Sequence, residues 1–106
     1  MKIIDRTFPA TTFGDFADRH SLTLVVKERP IDREWVHGRY YAYVEGAEVK
    51  EGRLLRSTYG NGVTPDKAIS EYAGRLRGLI LVINADGDDR RELQCPNEWL
   101  PEPDVQ

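Results

Sequence analysis

Cysteine occurs once in this chain, at Cys95, so no internal disulfide can form, and a reducing cytoplasm is the expected setting. Long apolar runs are also missing: residues 79–83, Leu-Ile-Leu-Val-Ile, fall far short of a membrane-spanning helix. Met1-Lys2-Ile3-Ile4-Asp5-Arg6 brings charge at once, with no apolar segment leading to a small-residue cleavage site, so no secretion signal is expected. Histidine is scarce, His20 and His37 standing apart, and no spacing of the HxxxH or CxxC kind points to a metal. The expectation is a chain with no metal and no cofactor, and His20 is read as completing a helix face.

Catalytic patterns are missing too. Gly60-Asn61-Gly62 precedes a helix, but the lysine and hydroxyl of a phosphate-binding loop are not there, nor is the full Gly-x-Gly-x-x-Gly. No Gly-x-Ser-x-Gly elbow occurs, and no pair of carboxylates stands out for acid–base work. Asp86, Asp88 and Asp89 flank Gly87 without the remaining ligand positions of a calcium loop, so a solvated turn is expected. Cys95 stands before Pro96 with no activating base nearby in sequence. An enzyme is therefore not expected.

What is present is the material of one small globular domain. The 106 residues are 40% hydrophobic and 31% charged, neither a disordered nor a membrane composition. The net charge of −3 is unevenly spread: residues 1–83 carry 13 Lys/Arg against 11 Asp/Glu, and residues 84–106 carry 2 against 7. A body near neutrality lacks the basic face of a binder that works mainly by neutralising phosphates. The acidic end points to a different kind of partner.

The local patterns order the elements. Residues 1–11 read as a leading strand or arm anchored by Ile3, Ile4 and Phe8. Thr12 caps a short helix in which Phe13, Phe16, Ala17 and His20 share a face. Residues 22–28 alternate as a strand with Leu22, Leu24 and Val26 inward, and a charged connection follows Pro30. A second strand ends at Glu45, Gly46 breaks it, and a third spans residues 53–59, giving a meander. Thr64 is a good N-cap and Pro65 fits the first helical position, so the main helix runs over residues 65–77, with Ala68, Ile69, Tyr72, Ala73 and Leu76 as its apolar stripe. Gly60 and Gly62 are expected to let the chain reverse sharply into this helix, and Gly78 to take the left-handed position after it. Gly74, inside the helix, points to a close backbone approach or to a tolerated surface position. Residues 79–83 read as a central strand buried on both faces, and residues 90–95 return from Asp86-Gly87 as an edge. The expected fold is α+β: an antiparallel sheet of about four to five strands, one main helix across a face and a short N-terminal helix, in a single domain over residues 1–95. Residues 96–106 form an acidic proline-rich tail that Trp99 and Leu100 can pin to the body.

Tyr40-Tyr41-Ala42-Tyr43-Val44-Glu45-Gly46, followed by Tyr59-Gly60-Asn61-Gly62-Val63-Thr64-Pro65-Asp66-Lys67-Ala68-Ile69, resembles the HicB-like antitoxin domain, a small relative of the double-stranded-RNA-binding fold. The Tyr-Gly-Asn-Gly-x-Thr-Pro pattern is also similar to that of small bacteriophage and prophage proteins. The resemblance spans roughly residues 22 to 83 and implies a β-β-β-α-β core. HicB proteins usually add a C-terminal DNA-binding helical module, whereas residues 84–106 here offer a hairpin and an acidic tail, so operator binding is not expected. The expected function is a non-enzymatic protein-binding module of phage or prophage origin that occludes a host protein or complex, an anti-CRISPR-type inhibitor of bacterial immunity being one concrete form. Its alternatives are an antitoxin capping a small toxin and an RNA-binding domain with an arginine surface. The candidate partner-binding residues are Tyr40, Tyr41, Tyr43, Arg53, Arg56, Arg75 and Arg77, with Asp86, Asp88 and Asp89 as acidic mimics of nucleic acid.

Overall fold

A computed structural model of the chain describes residues 11–30 and 38–102. The leading arm, the 31–37 connection with Trp35 and His37, and the last four residues lie outside that range. The fold is α+β, and the described residues form two helices and seven strands in two antiparallel sheets. A three-stranded sheet has the order β1 (Leu24–Glu28), β2 (Tyr40–Val44), β5 (Gly60–Gly62), and a four-stranded sheet the order β4 (Leu54–Arg56), β3 (Ala47–Glu51), β6 (Ile80–Ile83), β7 (Arg91–Gln94). Among the described residues no helix is long and apolar enough to cross a membrane.

The single sheet expected from the sequence becomes two because one long hairpin bends in its middle. Its first arm is β2 followed by β3 and its second β4 followed by β5; β1 and β6 occupy the other side of the first arm, one in each sheet. Between the pairs Ala42↔Gly60 and Val49↔Arg56 the first arm spends residues 43–48 and the second only 57–59. That mismatch is a wide bulge, and Gly46 takes it up at φ 73°. A side chain at Gly46 would lie 2.7 Å from Asn84 Oδ1, whose own backbone is left-handed at φ 54°. Gly46 thus bends the strand where the sequence pattern reads as its end, and β3 resumes one residue later.

The two helices are capped as their sequences dictate. In α1 (Phe13–Arg19) the Thr12 hydroxyl accepts from Asp15 N–H at 3.0 Å, and in α2 (Pro65–Leu76) Thr64 accepts from Lys67 N–H at 3.2 Å, with Pro65 in the first turn. Gly78 follows α2 at φ 71°, and its N–H donates to Pro96 O rather than back to the helix.

Helix α2 lies across the three-stranded sheet, and Gly60 and Gly62 explain how it comes so close. Neither has a positive φ, contrary to the turn expected there; both are strand residues on the helix-facing side of β5. A Cβ on Gly60 would lie 2.6 Å from Tyr72 Cα and closer still to Ala68 O, and one on Gly62 would lie 2.5 Å from Ala68 N. The helix backbone rests directly on bare strand backbone. Gly74, in contrast, has nothing within 4 Å of where a Cβ would stand, so the close approach falls at β5 and not at the helix glycine.

The core lies under α2, where Ala42, Val44, Val49, Ala68, Tyr72, Leu76, Leu81 and Ile83 are buried with Phe13 and Phe16 of α1. Leu22, Leu24 and Val26 pack against it, on the side the alternation predicts. Val44 N–H lies past the start of β5, where the strand ladder has run out, and it donates to Tyr72 Oη at 3.1 Å inside the core. Strand β6 is central, with Leu81, Val82 and Ile83 all buried as its continuous apolar run predicts.

The C-terminal segment is docked. Trp99 meets the rings of Phe13 and Phe16 edge-on at 5.1 and 5.2 Å and donates Nε1–H to Ala73 O at 2.7 Å. Leu100 bridges Thr12 in parallel, and Glu102 Oε1 accepts from Gly14 N–H at the start of α1 at 2.7 Å.

Candidate binding face

The pleat of β2 sorts its tyrosines to opposite sides. Tyr40 shares the helix side with Ala42 and Val44 and packs half-buried against the core. Tyr41 and Tyr43 point the other way, beside Lys27 and Val25 of β1, their cross-strand partners. Tyr59, one residue before the helix-facing Gly60, falls on the same outer face. Tyr41 and Tyr43 are near-parallel, 15° apart with centroids at 6.2 Å, and Tyr59 stands edge-on to both at 6.1 and 5.5 Å. The result is a three-tyrosine cluster on the sheet face turned away from α2, with Tyr59 itself 46% exposed.

Two cations flank this cluster. Lys27 Nζ lies 5.9 Å from the Tyr43 centroid and the Arg29 guanidinium 4.9 Å from that of Tyr41. The Tyr43 hydroxyl bonded to Lys27 raises the lysine's pKa, so it keeps its charge. Arg29 is held in place by Gly38 O at 2.7 Å, Tyr40 O at 3.3 Å and Asn61 Oδ1 at 2.6 Å, which ties all three strands of the sheet together.

Beside Tyr43 and Tyr59, where the bulge parts the two sheets, lies a cavity of about 630 Å³. Its lining brings Tyr43 and Tyr59 together with Gly46, Glu48, Ser57 and Thr58, and with the loop carrying Asn84, Asp86, Gly87 and Asp89. The loop is ordered by its own bonds: Gly87 N–H donates to Asn84 O at 2.9 Å, and Asn84 Nδ2 to Asp89 Oδ2 at 2.8 Å. Asp86, Asp88 and Asp89 are exposed, as a solvated turn requires.

The arginines expected to form a surface fall in two places, the β3–β4 hairpin and the end of α2, and Arg56, Arg75 and Arg77 are engaged locally. Arg53 is exposed in the β3–β4 turn, and Arg56 beside it pairs with Glu51 at 2.8 Å. Arg75 pairs with Glu71 along α2 at 2.8 Å, and Arg77 at its end donates Nε–H to Gly74 O at 3.2 Å. None of the four lies against the tyrosines or lines the cavity.

The two isolated side chains of interest for chemistry are committed to packing. His20 stacks edge-on against Phe16 at 4.6 Å, and burial, with Arg19 and Arg91 nearby, lowers its pKa. Cys95 is 1% exposed, and burial pushes its thiol from 9.0 up to about 12, which removes the thiolate that reactivity needs.

Sequence reasoning finds Tyr41 and Tyr43 but misses Tyr59, Lys27, Arg29 and Glu48. For Lys27 and Glu48 the available signal is parity, since each stands next to an inward-facing residue of its own strand, Val26 and Val49. No protein family, curated protein or solved structure matches this chain.

Proposed function

We propose that this chain is a non-enzymatic protein-binding module that acts by occlusion, covering a working surface of a bacterial protein with the tyrosine face. The observation that carries the proposal is the cluster of Tyr41, Tyr43 and Tyr59 on the face of the three-stranded sheet turned away from α2. Tyrosine and arginine are side chains that concentrate binding energy at protein interfaces, since both offer apolar area and a polar handle, and tyrosine has few rotamers to lose. The flanking charges favour a protein over a nucleic acid. Arg29 stands beside Tyr41 at one end of the face, Lys27 reaches Tyr43, and Glu48, Asp86 and Asp89 lie at the other end. A phosphate backbone, negative throughout, meets repulsion at the acidic end; a protein of mixed charge can match both ends and gains encounter rate from them. The ion pairs of Arg56 and Arg75 remove support for an arginine surface that reads RNA.

The test is a tagged pull-down from bacterial lysate with and without nuclease, run on the wild type and on Tyr41→Ala/Tyr43→Ala. A stoichiometric, nuclease-resistant partner is expected, with affinity reduced by about 30-fold or more in the double variant, as loss of a hot spot of ~2 kcal/mol requires. Capture that survives the tyrosine substitutions, or that disappears with nuclease, overturns the proposal. The identity of the captured protein separates toxin neutralisation from inhibition of an immune complex, the two forms that the HicB-like and phage resemblances imply. Charge-removing substitutions at Asp86, Asp88 and Asp89 test nucleic-acid mimicry better than removal of residues 96–106, because that deletion also removes Trp99 from between the helices.

A further inference from the structure

We infer that the cavity between the sheets is a receptor for one cationic side chain of the partner, arginine foremost. This deepens the proposed function and rests on the tyrosine face being the interface.

Three features of the cavity converge on that chemistry. Its aromatic wall is made by Tyr43 and Tyr59, with rings 5.5 Å apart at 83°, so the two present differently oriented surfaces to one space. A cation is attracted to such a ring face, and Lys27 already stands over Tyr43 from outside the cavity. Its carboxylates are Glu48, Asp86 and Asp89, while among the described residues no lysine or arginine lines it. The ion pairs among the described residues leave these three out: Lys50 and Arg90 pair with Glu92, Arg56 with Glu51, Arg75 with Glu71 and Arg39 with Glu28. Asp89 shares Oδ2 with the Asn84 amide, and Glu48 and Asp86 have no such partner among the described residues.

The third feature is preformation. The bulge is held by Asn84 N–H donating to Gly46 O at 2.9 Å, and the loop beyond it by Gly87 N–H donating to Asn84 O at 2.9 Å. The cleft is open to solvent, and its volume of about 630 Å³ leaves room for one extended side chain. Among the described residues no three acidic, histidine or cysteine side chains converge closely enough to hold a metal ion. Carboxylates spread along a rim beside two rings suit an extended, planar, delocalised cation, which stacks on aromatic faces while its several N–H donors reach separate acceptors. A guanidinium has that shape.

The test uses the full chain, labelled with ¹⁵N and titrated at low salt with the probe acetyl-Gly-Arg-Gly-amide and with its citrulline isostere. The arginine probe should give saturable shifts at the amides of Gly46, Asn84 and Gly87, and its δ-methylene protons should move upfield from the tyrosine rings. Citrulline, which keeps the shape without the charge, should bind about tenfold more weakly. The Glu48→Gln/Asp86→Asn variant, checked as folded by its amide dispersion, should weaken the arginine probe about fivefold. Absence of saturable shifts at those amides, or equal binding of citrulline, overturns the inference. Because no captured protein enters the titration, a tyrosine face that binds its partner while the probe fails leaves the proposed function standing, and the converse leaves the cavity standing.

Discussion

Gly60→Ala is the substitution that the packing of α2 on β5 condemns most directly. A methyl carbon there would stand 2.6 Å from Tyr72 Cα, with Ala68 O closer still. Carbon atoms need about 3.5–4.0 Å, so the shortfall is ~1 Å against backbone atoms that no rotamer change can move. The helix must lift as a body. Ala68, Tyr72 and Leu76, each at most 1% exposed, would then lose their contacts. The 3.1 Å bond from Val44 N–H to Tyr72 Oη would stretch towards 4 Å (~1 Å added), leaving a buried donor unsatisfied. Overpacking costs ~1–3 kcal/mol and the orphaned donor another ~1–3, against which the reduced entropy of the unfolded chain returns ~0.4–1. The net loss is about 2–4 kcal/mol, a large share of the roughly 5–15 that holds a domain of this size together. Gly74→Ala is the control, because the same methyl there enters open space within a helix and should stabilise by ~0.5–1 kcal/mol. Urea unfolding followed by circular dichroism reads both. With a slope of ~1–3 kcal/mol per molar, the Gly60→Ala midpoint should fall by about 1 M or more and the Gly74→Ala midpoint should rise. A Gly60→Ala midpoint at or above that of the wild type would refute direct backbone packing.

Tyr72→Phe removes the only acceptor assigned to Val44 N–H among the described residues without changing the ring's packing, and should cost ~1–3 kcal/mol in urea unfolding, with Phe13 still edge-on at the ring. Stability should also fall as pH rises above 9, because the unfolded Cys95 thiol ionises near its ordinary value of 9.0 while the folded one is held to about 12. The folded state then binds the extra proton, so the stability due to this group is present below pH 9 and lost progressively towards pH 12, by an amount on the order of 4 kcal/mol at full extent. Tyr72, raised by burial, has the same sign. Unfolding midpoints at a series of pH values should therefore decline more gently in Cys95→Ala than in the wild type, and parallel declines would remove the thiol as the cause.

The caps, the helix stripes and the alternation of β1 were legible because each is decided by near neighbours in the chain. Thr12 and Thr64 cap, Leu24 and Val26 turn inward, and residues 80–83 form a central strand, all by rules that operate over a few residues. Glycine defeated the same approach, since three physical reasons for it look alike in sequence. Gly46 supplies a positive φ, Gly60 and Gly62 supply a missing Cβ under a helix, and Gly74 supplies neither. Only the position of the helix distinguishes them. Strand β5 was illegible for a related reason: Gly-Asn-Gly has poor strand propensity, and its pairing with β2 under α2 overrides that preference. The tyrosine face was half legible. Tyrosines in a row announce a strand, but which of them faces out depends on where the core lies, and Tyr59 joins Tyr41 and Tyr43 only through the hairpin register.

The bulge at Gly46 connects the fold to the proposed function. A straight hairpin would pair residues 57–59 with the end of β2 and continue one sheet across both halves of the domain. Because the first arm carries the extra residues, the second sheet turns away and the space between the sheets opens beside Tyr43 and Tyr59. The loop after β6 then enters that space from the opposite side, where Asn84 bonds the kinked strand and brings Asp86 and Asp89 to the rim. One face thereby carries both signs, basic at Arg29 beside Tyr41 and acidic at the bulge. A partner engaging the tyrosines is aligned by those two ends, and a reversed orientation would set like charges against each other. Steric occlusion requires a single fixed pose, and the polarity of this face is what would select it.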